Sequence, residues 1–327
     1  MIYINSNSTS PYFNFALEEY LLTKKDLPED KIFLFWRTSP TVMVGRYQNT
    51  YNEINEKYIK ENNINVVRRN SGGGAIYTDN GAWQFTFIDK NYKEDSISFE
   101  KFTRPIIEAL KRENIDASFN SRNDLLINNK KFSGNAQYRK NNAILHHGSI
   151  LFNTDIKSMV ESLTVAEDKI IAKGIKSVRE RVINVSEVMK DDISSEDFKD
   201  IMLNSLLKNS TTYTLTEKDL EKINKIKEEK FESWDWNYGK NPLFNINKWK
   251  RFEGGRVDFK LDIKNGIIKN CSIEGDFFAN KDISTLERAL LNCKYMKDDI
   301  NNVLEKIKAE NYFHKITKDN LLECLID

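Results

Sequence analysis

Residues 66–81, VVRRNSGGGAIYTDNG, set three consecutive glycines between an apolar run and a turn, directly after two arginines and a serine. Three glycines lose backbone entropy on folding and remove packing surface. The run therefore marks a place where the backbone bends sharply or closely approaches another group. A loop needing positive φ angles accounts for the glycines alone. The arginines add a second account. Backbone N–H groups of a glycine-rich turn can cradle phosphate or carboxylate oxygens, and an adjacent guanidinium supplies charge-assisted hydrogen bonds.

The surroundings are rich in β-strand signals. KIFLFW (31–36), TVMVGRYQN (41–49), residues 64–69 and WQFTFI (83–88) predict strands, with Asp79-Asn80-Gly81 as turn chemistry. Ser10-Pro11 before YFNFALEEYLL predicts an N-capped helix burying Phe13, Leu17, Tyr20 and Leu21 on one face. An amphipathic helix is expected over 98–114, with Pro105 in its first turns. NDLLI, KKFSGNAQYR and AILHHGSILFN then predict three strands parted by Asn128-Asn129 and Asn141-Asn142. From about residue 155 helices take over, at 194–208 and 216–230, after the basic stretch AKGIKSVRERV (172–182). A separate block follows WDWNYGKNPLFN, with a hairpin around Asn265-Gly266 and further helices. The expected division is a main domain over 1–245 and an accessory domain over 246–327, in keeping with 327 residues against about 100–200 for one core.

Composition narrows the chemistry. Lys+Arg 50 against Asp+Glu 49 gives a net charge of +1, which argues against a dedicated nucleic-acid binder. The start carries no signal-peptide pattern, and no apolar run approaches the ~20 residues that span a bilayer, so a cytoplasmic, membrane-free protein is expected. Cys271, Cys293 and Cys324 form no CxxC pair, and three histidines are too few for a metal cluster. The phosphate-loop pattern GxxxxGK[ST] is absent, so nucleotide chemistry needs another cradle.

Two adjacent pairs remain open on residue chemistry alone. Lys130 and Lys131 lie in one strand, where successive side chains point to opposite faces, so one of them can aim at a site. His146 and His147 obey the same alternation, and either suits an ordinary half-buried histidine. KFSGNA beside the lysines offers small residues along which a ligand can lie. The stretch 172–182 reads either as a solvated helix or as a loop that closes over phosphate.

Taken in order, NFALEEYLL, VMVGRYQNTYNEIN, VVRRNSGGGAIYTDNGAWQFTF, NDLLINNKKFSGNAQYRKNNAILHHGSILFN and KGIKSVRERVINVS resemble the lipoate–protein ligase A family over most of residues 11–190. The block after WDWNYGKNPLFN looks like the accessory domain of its long bacterial form. The resemblance implies an α+β fold shared with biotin protein ligases and related to class II aminoacyl-tRNA synthetase cores: a mixed sheet flanked by helices, plus a small α/β domain. It also implies a reaction in which lipoate or octanoate is adenylated by ATP with Mg²⁺. The acyl group then passes to a lysine of lipoyl domains of 2-oxoacid dehydrogenase E2 subunits or of glycine cleavage H protein, on a monomeric enzyme.

The matching motif names Lys131 as the catalytic lysine. It assigns Arg69, Gly74, Ala75, Ile76, Tyr77, Asp124, Lys131, Lys173, Gly174, Lys176 and Ser177 to ATP and adenylate, within an adenylate loop over 169–182. Arg69, Ser71, Gly72, Gly73, Lys131 and His147 fall to lipoate, and Asp124 to Mg²⁺ or to orienting Lys131. Thr78 departs from the family, which commonly has histidine there. A cysteine-dependent acyl transferase on the same scaffold is disfavoured because residues 1–245 hold no cysteine. A biotin ligase has different residues around its glycines, and a non-catalytic binder of lipoylated proteins gains nothing from these motifs together.

Overall fold

The computed structural model describes the whole chain except residues 94–97, 121, 164–177, 209, 239–245, 265 and 327, and describes backbone alone at 51 and 52. Its strands are β1 (Ile2–Tyr3), β2 (Lys31–Trp36), β3 (Thr41–Val44), β4 (Asn65–Arg68), β5 (Ile76–Thr78), β6 (Ala82–Asp89), β7 (Ala117–Phe119), β8 (Asp124–Ile127), β9 (Lys130–Lys140), β10 (Ala143–Leu151), β11 (Thr211–Thr212), β12 (Ile246–Phe252), β13 (Gly255–Lys264) and β14 (Ile267–Gly275).

Alternation in β2 and β6 decides the layering. Phe33, Phe35, Trp83, Phe85 and Phe87 join one core, while Ile32, Leu34, Trp36 and Ile88 join another, so both faces are covered. These strands are central in a mixed sheet of eight, ordered β11-β1-β2-β6-β10-β9-β8-β7, in which β1 runs parallel to β2 and β11. Helices Glu100–Arg112 and Ser195–Leu206 cover the first face; Pro11–Thr23 and Glu217–Ile226 cover the second. A smaller sheet, β4-β3-β5, carries the glycine run between β4 and β5. This is the expected α+β architecture with helices on both sides of a mixed sheet.

Local signals explain most element ends. Ser10 Oγ accepts from Phe13 N at 3.3 Å and Pro11 opens the helix, as predicted. Its burial differs from the expectation: Phe13 is half-buried, whereas Asn14, Phe15 and Glu18 are buried, because this helix is enclosed on more than one side. Pro105 sits in the second turn of its helix, within the first turns as expected. The hairpin turns use asparagine in the left-handed region, with φ of 50° at Asn128, 60° at Asn129 and 55° at Asn141. Gly81 N donates to Asp79 Oδ1 at 2.9 Å in the turn that carries the chain from the small sheet to the large one.

β12, β13 and β14 form an antiparallel sheet backed by helices Ile283–Leu290, Lys297–Ile307 and Lys318–Ile326, with a core of their own around Phe259, Leu286 and Leu304. The expected boundary after residue 245 falls outside the described residues. This second unit touches the first through main chain and side chains alike: Gly73 N donates to Phe277 O at 3.0 Å and Gly275 N to Tyr47 O at 2.6 Å, while Phe278 packs with Phe99 and Ala136. Among the described residues no helix is long and apolar enough to cross a membrane.

Candidate active site

The pairing of β8 with β9 decides which lysine faces inward. Asp124 lies opposite Gly134 and Leu125 opposite Ser133, but Leu126 lies opposite Lys131, so Phe132 is the extra residue of a β-bulge. Phe132 enters the core. The skipped residue puts Lys131 on the face of Gly134 and Ala136, and Lys131 lines two adjoining cavities. A Cβ on Gly134 would stand 3.0 Å from Lys131 Nζ, so the glycine makes room for the ammonium. The main chain of Lys131 is held from the other side, its N–H donating to Arg181 O at 2.8 Å and its C=O accepting from Ile183 N at 3.0 Å.

The first cavity has a volume of about 250 Å³ and an apolar end formed by Phe15, Trp36 and Met43. The second, about 600 Å³, is bounded by Tyr77, Leu126, Met159 and the segment from Val178 to Val182. Ala75, Ile76, Asp124, Lys131, Gly134 and Ser149 border both, so the lysine stands where they meet. Lys131 Nζ is 2.7 Å from Asp124 Oδ1. The contact is an ion pair, and by hydrogen-bond geometry the buried Oδ1 has no donor among the described residues. Arg122 adds a cation to the first cavity, and its buried Nε likewise lacks a partner among the described residues.

The glycine run serves two ends. Gly73 has φ +93°, a backbone that L side chains rarely adopt, and a Cβ there would come within 2.8 Å of the Phe278 ring. A Cβ on Gly72 would stand 2.4 Å from Phe277 O. The first two glycines thus admit the second unit, whose Asp276 and Phe278 wall the first cavity. Gly74 faces more open space, with Asp276 Cβ at 3.8 Å.

Arg69 lies beneath the run. It donates to Met43 O (2.9 Å), Gly72 O (3.0 Å), Gly74 O (2.7 Å) and Ser71 Oγ (3.1 Å), which leaves one of its five N–H groups for a ligand. Burial, and next the neighbouring Arg68, push its guanidinium down to about 10, so it stays charged at neutral pH. Four of its N–H groups shape the loop, and the expectation that it meets an anion rests on the one that remains. Arg68 turns away to bind Gly45 O, Gln48 O and Thr50 Oγ1.

The histidines separate by simple alternation. His146 is fully buried among Phe85, Phe99 and Phe102, accepting from Gln137 Nε2 at Nδ1 (2.9 Å) and donating from Nε2 to Asn135 Oδ1 (3.2 Å). Burial, with His147 beside it, holds its pKa well below 6.5, so it is neutral. His147 lines the first cavity. Its Nδ1–H donates to the Glu18 carboxylate at 3.1 Å, which leaves Nε2 to accept from Ser71 Oγ at 2.7 Å. Glu18 also accepts from Thr86 Oγ1 (2.6 Å), and Thr86 from Trp36 Nε1 (2.9 Å). Ser71 is buried behind this chain and anchors the loop.

Of the other expected residues, Gly73, Gly74, Ala75, Ile76 and Tyr77 border one or both cavities, while Gly72 faces the second unit. Lys173, Gly174, Lys176 and Ser177, with most of the expected 169–182 loop, lie outside the described residues. Sequence reasoning missed Glu18, Trp36, Gln84, Arg122 and Phe278. Only Glu18 had a signal, as one of two adjacent acids in a helical run rich in apolar residues.

A narrow cavity with one apolar end, meeting a wider one at a lysine on this mixed sheet, suits a ligand with an apolar tail and an anionic head, and comparison with known proteins agrees. Residues 10–207 match the family model of the lipoyl protein ligase A/B catalytic domain, and residues 241–325 that of the bacterial lipoate protein ligase C-terminus. The chain belongs to the lipoate–protein ligase family. Lipoate-protein ligase LplJ of Bacillus subtilis is 42% identical over 99% of this chain and 100% of its own length. Lipoate–protein ligase 1 of Staphylococcus aureus is 40% identical over 98% of each chain. A crystal structure of P. falciparum LipL1 in complex with lipoate matches with TM-score 0.79 at 28% identity, covering 99% of this chain and 98% of that one.

Proposed function

We propose that this chain is an adenylate-forming ligase that joins lipoate or octanoate to a lysine of lipoyl domains of E2 subunits or of glycine cleavage H protein. The observation that carries the reading is the meeting of the two cavities at Lys131. The acyl chain occupies the first, with its tail toward Phe15, Trp36 and Met43 and its carboxylate at Lys131. ATP occupies the second, with its α-phosphate brought to the same ammonium.

A carboxylate oxygen attacks the α-phosphorus and pyrophosphate departs. The acceptor amine then attacks the acyl carbon, the C–O bond to AMP breaks, and the amine proton is lost as the amide forms. Lys131 counters charge on the carboxylate and phosphate and holds them in contact. Arg122 offers a further cation on the acyl side. Asp124, a carboxylate bordering both cavities beside Lys131, fits a Mg²⁺ that keeps several waters and takes one protein carboxylate besides phosphates. When bound, that ion neutralises phosphate charge. Cys271, Cys293 and Cys324 all belong to the C-terminal block, and burial raises each thiol, which favours the ligase over thioester transfer. A cytoplasmic location suits ATP as substrate.

Lipoate-dependent ATP–pyrophosphate exchange tests the reading. Exchange that requires the acid is the expected result, and folded protein without it would sink the proposal.

A further inference from the structure

One side of the first cavity is a line of residues paired across the large sheet. Trp36 of β2 lies opposite Gln84 of β6, and Gln84 opposite Ser149 of β10. Ser149 Oγ accepts from Gly134 N at 3.4 Å, and Gly134 lies opposite Asp124. All five border the cavity, and Lys131 Nζ lies over Gly134. Neighbouring strands are about 4.8 Å apart, so Gly134 and Gln84 are separated by two spacings, about 10 Å. An extended eight-carbon acyl chain, with bonds of about 1.5 Å projected along its zigzag, reaches about 9 Å. A chain whose carboxylate rests at Lys131 therefore ends over Gln84.

Gln84 differs in kind from the apolar Phe15, Trp36 and Met43 around that end. It is 3% exposed, and among the described residues its amide makes one hydrogen bond, from Nε2 to Thr78 Oγ1 at 2.8 Å. Thr78 is fully buried and serves as this anchor, which gives the least expected letter of the glycine segment a task. The amide keeps a second N–H and its carbonyl oxygen. Burying those against a hydrocarbon end is unfavourable, whereas a ring sulfur is polarisable and accepts a weak hydrogen bond.

We infer that Gln84, fixed by Thr78, is a specificity-determining residue that selects an acyl chain ending in a sulfur-bearing ring over a plain alkyl chain of the same length. The inference rests on the acyl-adenylating reading above.

The test is kcat/KM for acid-dependent ATP–pyrophosphate exchange, measured with lipoate and with octanoate on the full chain. Gln84→Met keeps the shape and removes the amide; it should raise the octanoate-to-lipoate ratio about tenfold while leaving KM for ATP unchanged. Thr78→Val, which frees the amide, should move the ratio the same way by a smaller factor. A folded Gln84→Met with the wild-type ratio overturns the inference. Should that variant not fold, Gln84→Asn withdraws the amide from the chain end, and an unmoved ratio there overturns it equally. Wild-type protein inactive with both acids overturns the adenylating reading and this inference with it. A wild type active with both and insensitive to Gln84 overturns the inference alone.

Discussion

The adjacent lysines of β9 and the adjacent histidines of β10 pose the same question on neighbouring strands, and the fold answers it in two ways. On β10, plain alternation sends His147 to the cavity and His146 into an aromatic core. On β9, counting back by twos from the cavity-side residues Ala136 and Gly134 would select Lys130. The bulge at Phe132 reverses that count and delivers Lys131. A pleat can be counted in a sequence, whereas an inserted residue shows itself only once the partner strand is in place. Bulges next to functional sites re-aim side chains in this manner.

The lysine pair offers the strongest way to break the comparison. Lys131→Ala should lower lipoate-dependent exchange about 10²–10³-fold, in the range for losing a group that stabilises developing charge. Lys130→Ala should stay within about twofold in the same assay. Equal losses would mean that the bulge does not select the lysine. The histidines come next, and their variants should fail in different currencies. Folded His147→Ala should lose about tenfold in kcat/KM for the acid, the size expected of a lost positioning contact. His146→Ala should keep that value within about threefold yet lose about 2–4 kcal/mol in denaturant unfolding, since it opens a cavity and strands Gln137 and Asn135.

Gly134→Ala sharpens the lysine half. The new Cβ would press on Lys131 Nζ, the free end of a flexible side chain, so exchange should fall several-fold with little change in the unfolding midpoint. The smallest effect is a pH slope. A histidine whose folded pKa is depressed contributes stability that is complete above its unfolded value and is lost as pH falls toward the folded one. Unfolding free energy should therefore decline as pH drops below about 6.5, and His146→Gln should flatten that part of the profile.

How far the sequence could be read follows the same division. The apolar and aromatic strand runs KIFLFW and WQFTFI, the asparagine turns and the Ser10 cap are local signals, and the fold reproduces them. Lys131 was reachable through its family motif, because pleat counting alone left the pair open. Gly72 and Gly73 were readable as a close approach, but what approaches them is Phe277 and Phe278, some 200 positions later, and no local pattern announces that. Gln84 was hidden within a strand because its meaning depends on Trp36 and Ser149 across two pairings. Arg69 was noticed for its charge, yet its task turns on carbonyls that only the folded loop presents.

The two units meet through N–H and C=O groups that every polypeptide carries, at Gly73 with Phe277 and at Gly275 with Tyr47. Side chains complete the seam: Phe278 packs with Phe99 and Ala136, and Tyr47 stacks on Phe277 with ring centroids 4.9 Å apart. The second unit can then be exchanged as a cassette only where it brings its Phe277 and Phe278 rings and the cavity wall of Asp276 and Phe278 with it. A chimera carrying the C-terminal unit of a relative should dock in the same register as long as residues 72 and 73 remain glycine and the incoming unit keeps aromatic residues at positions 277 and 278.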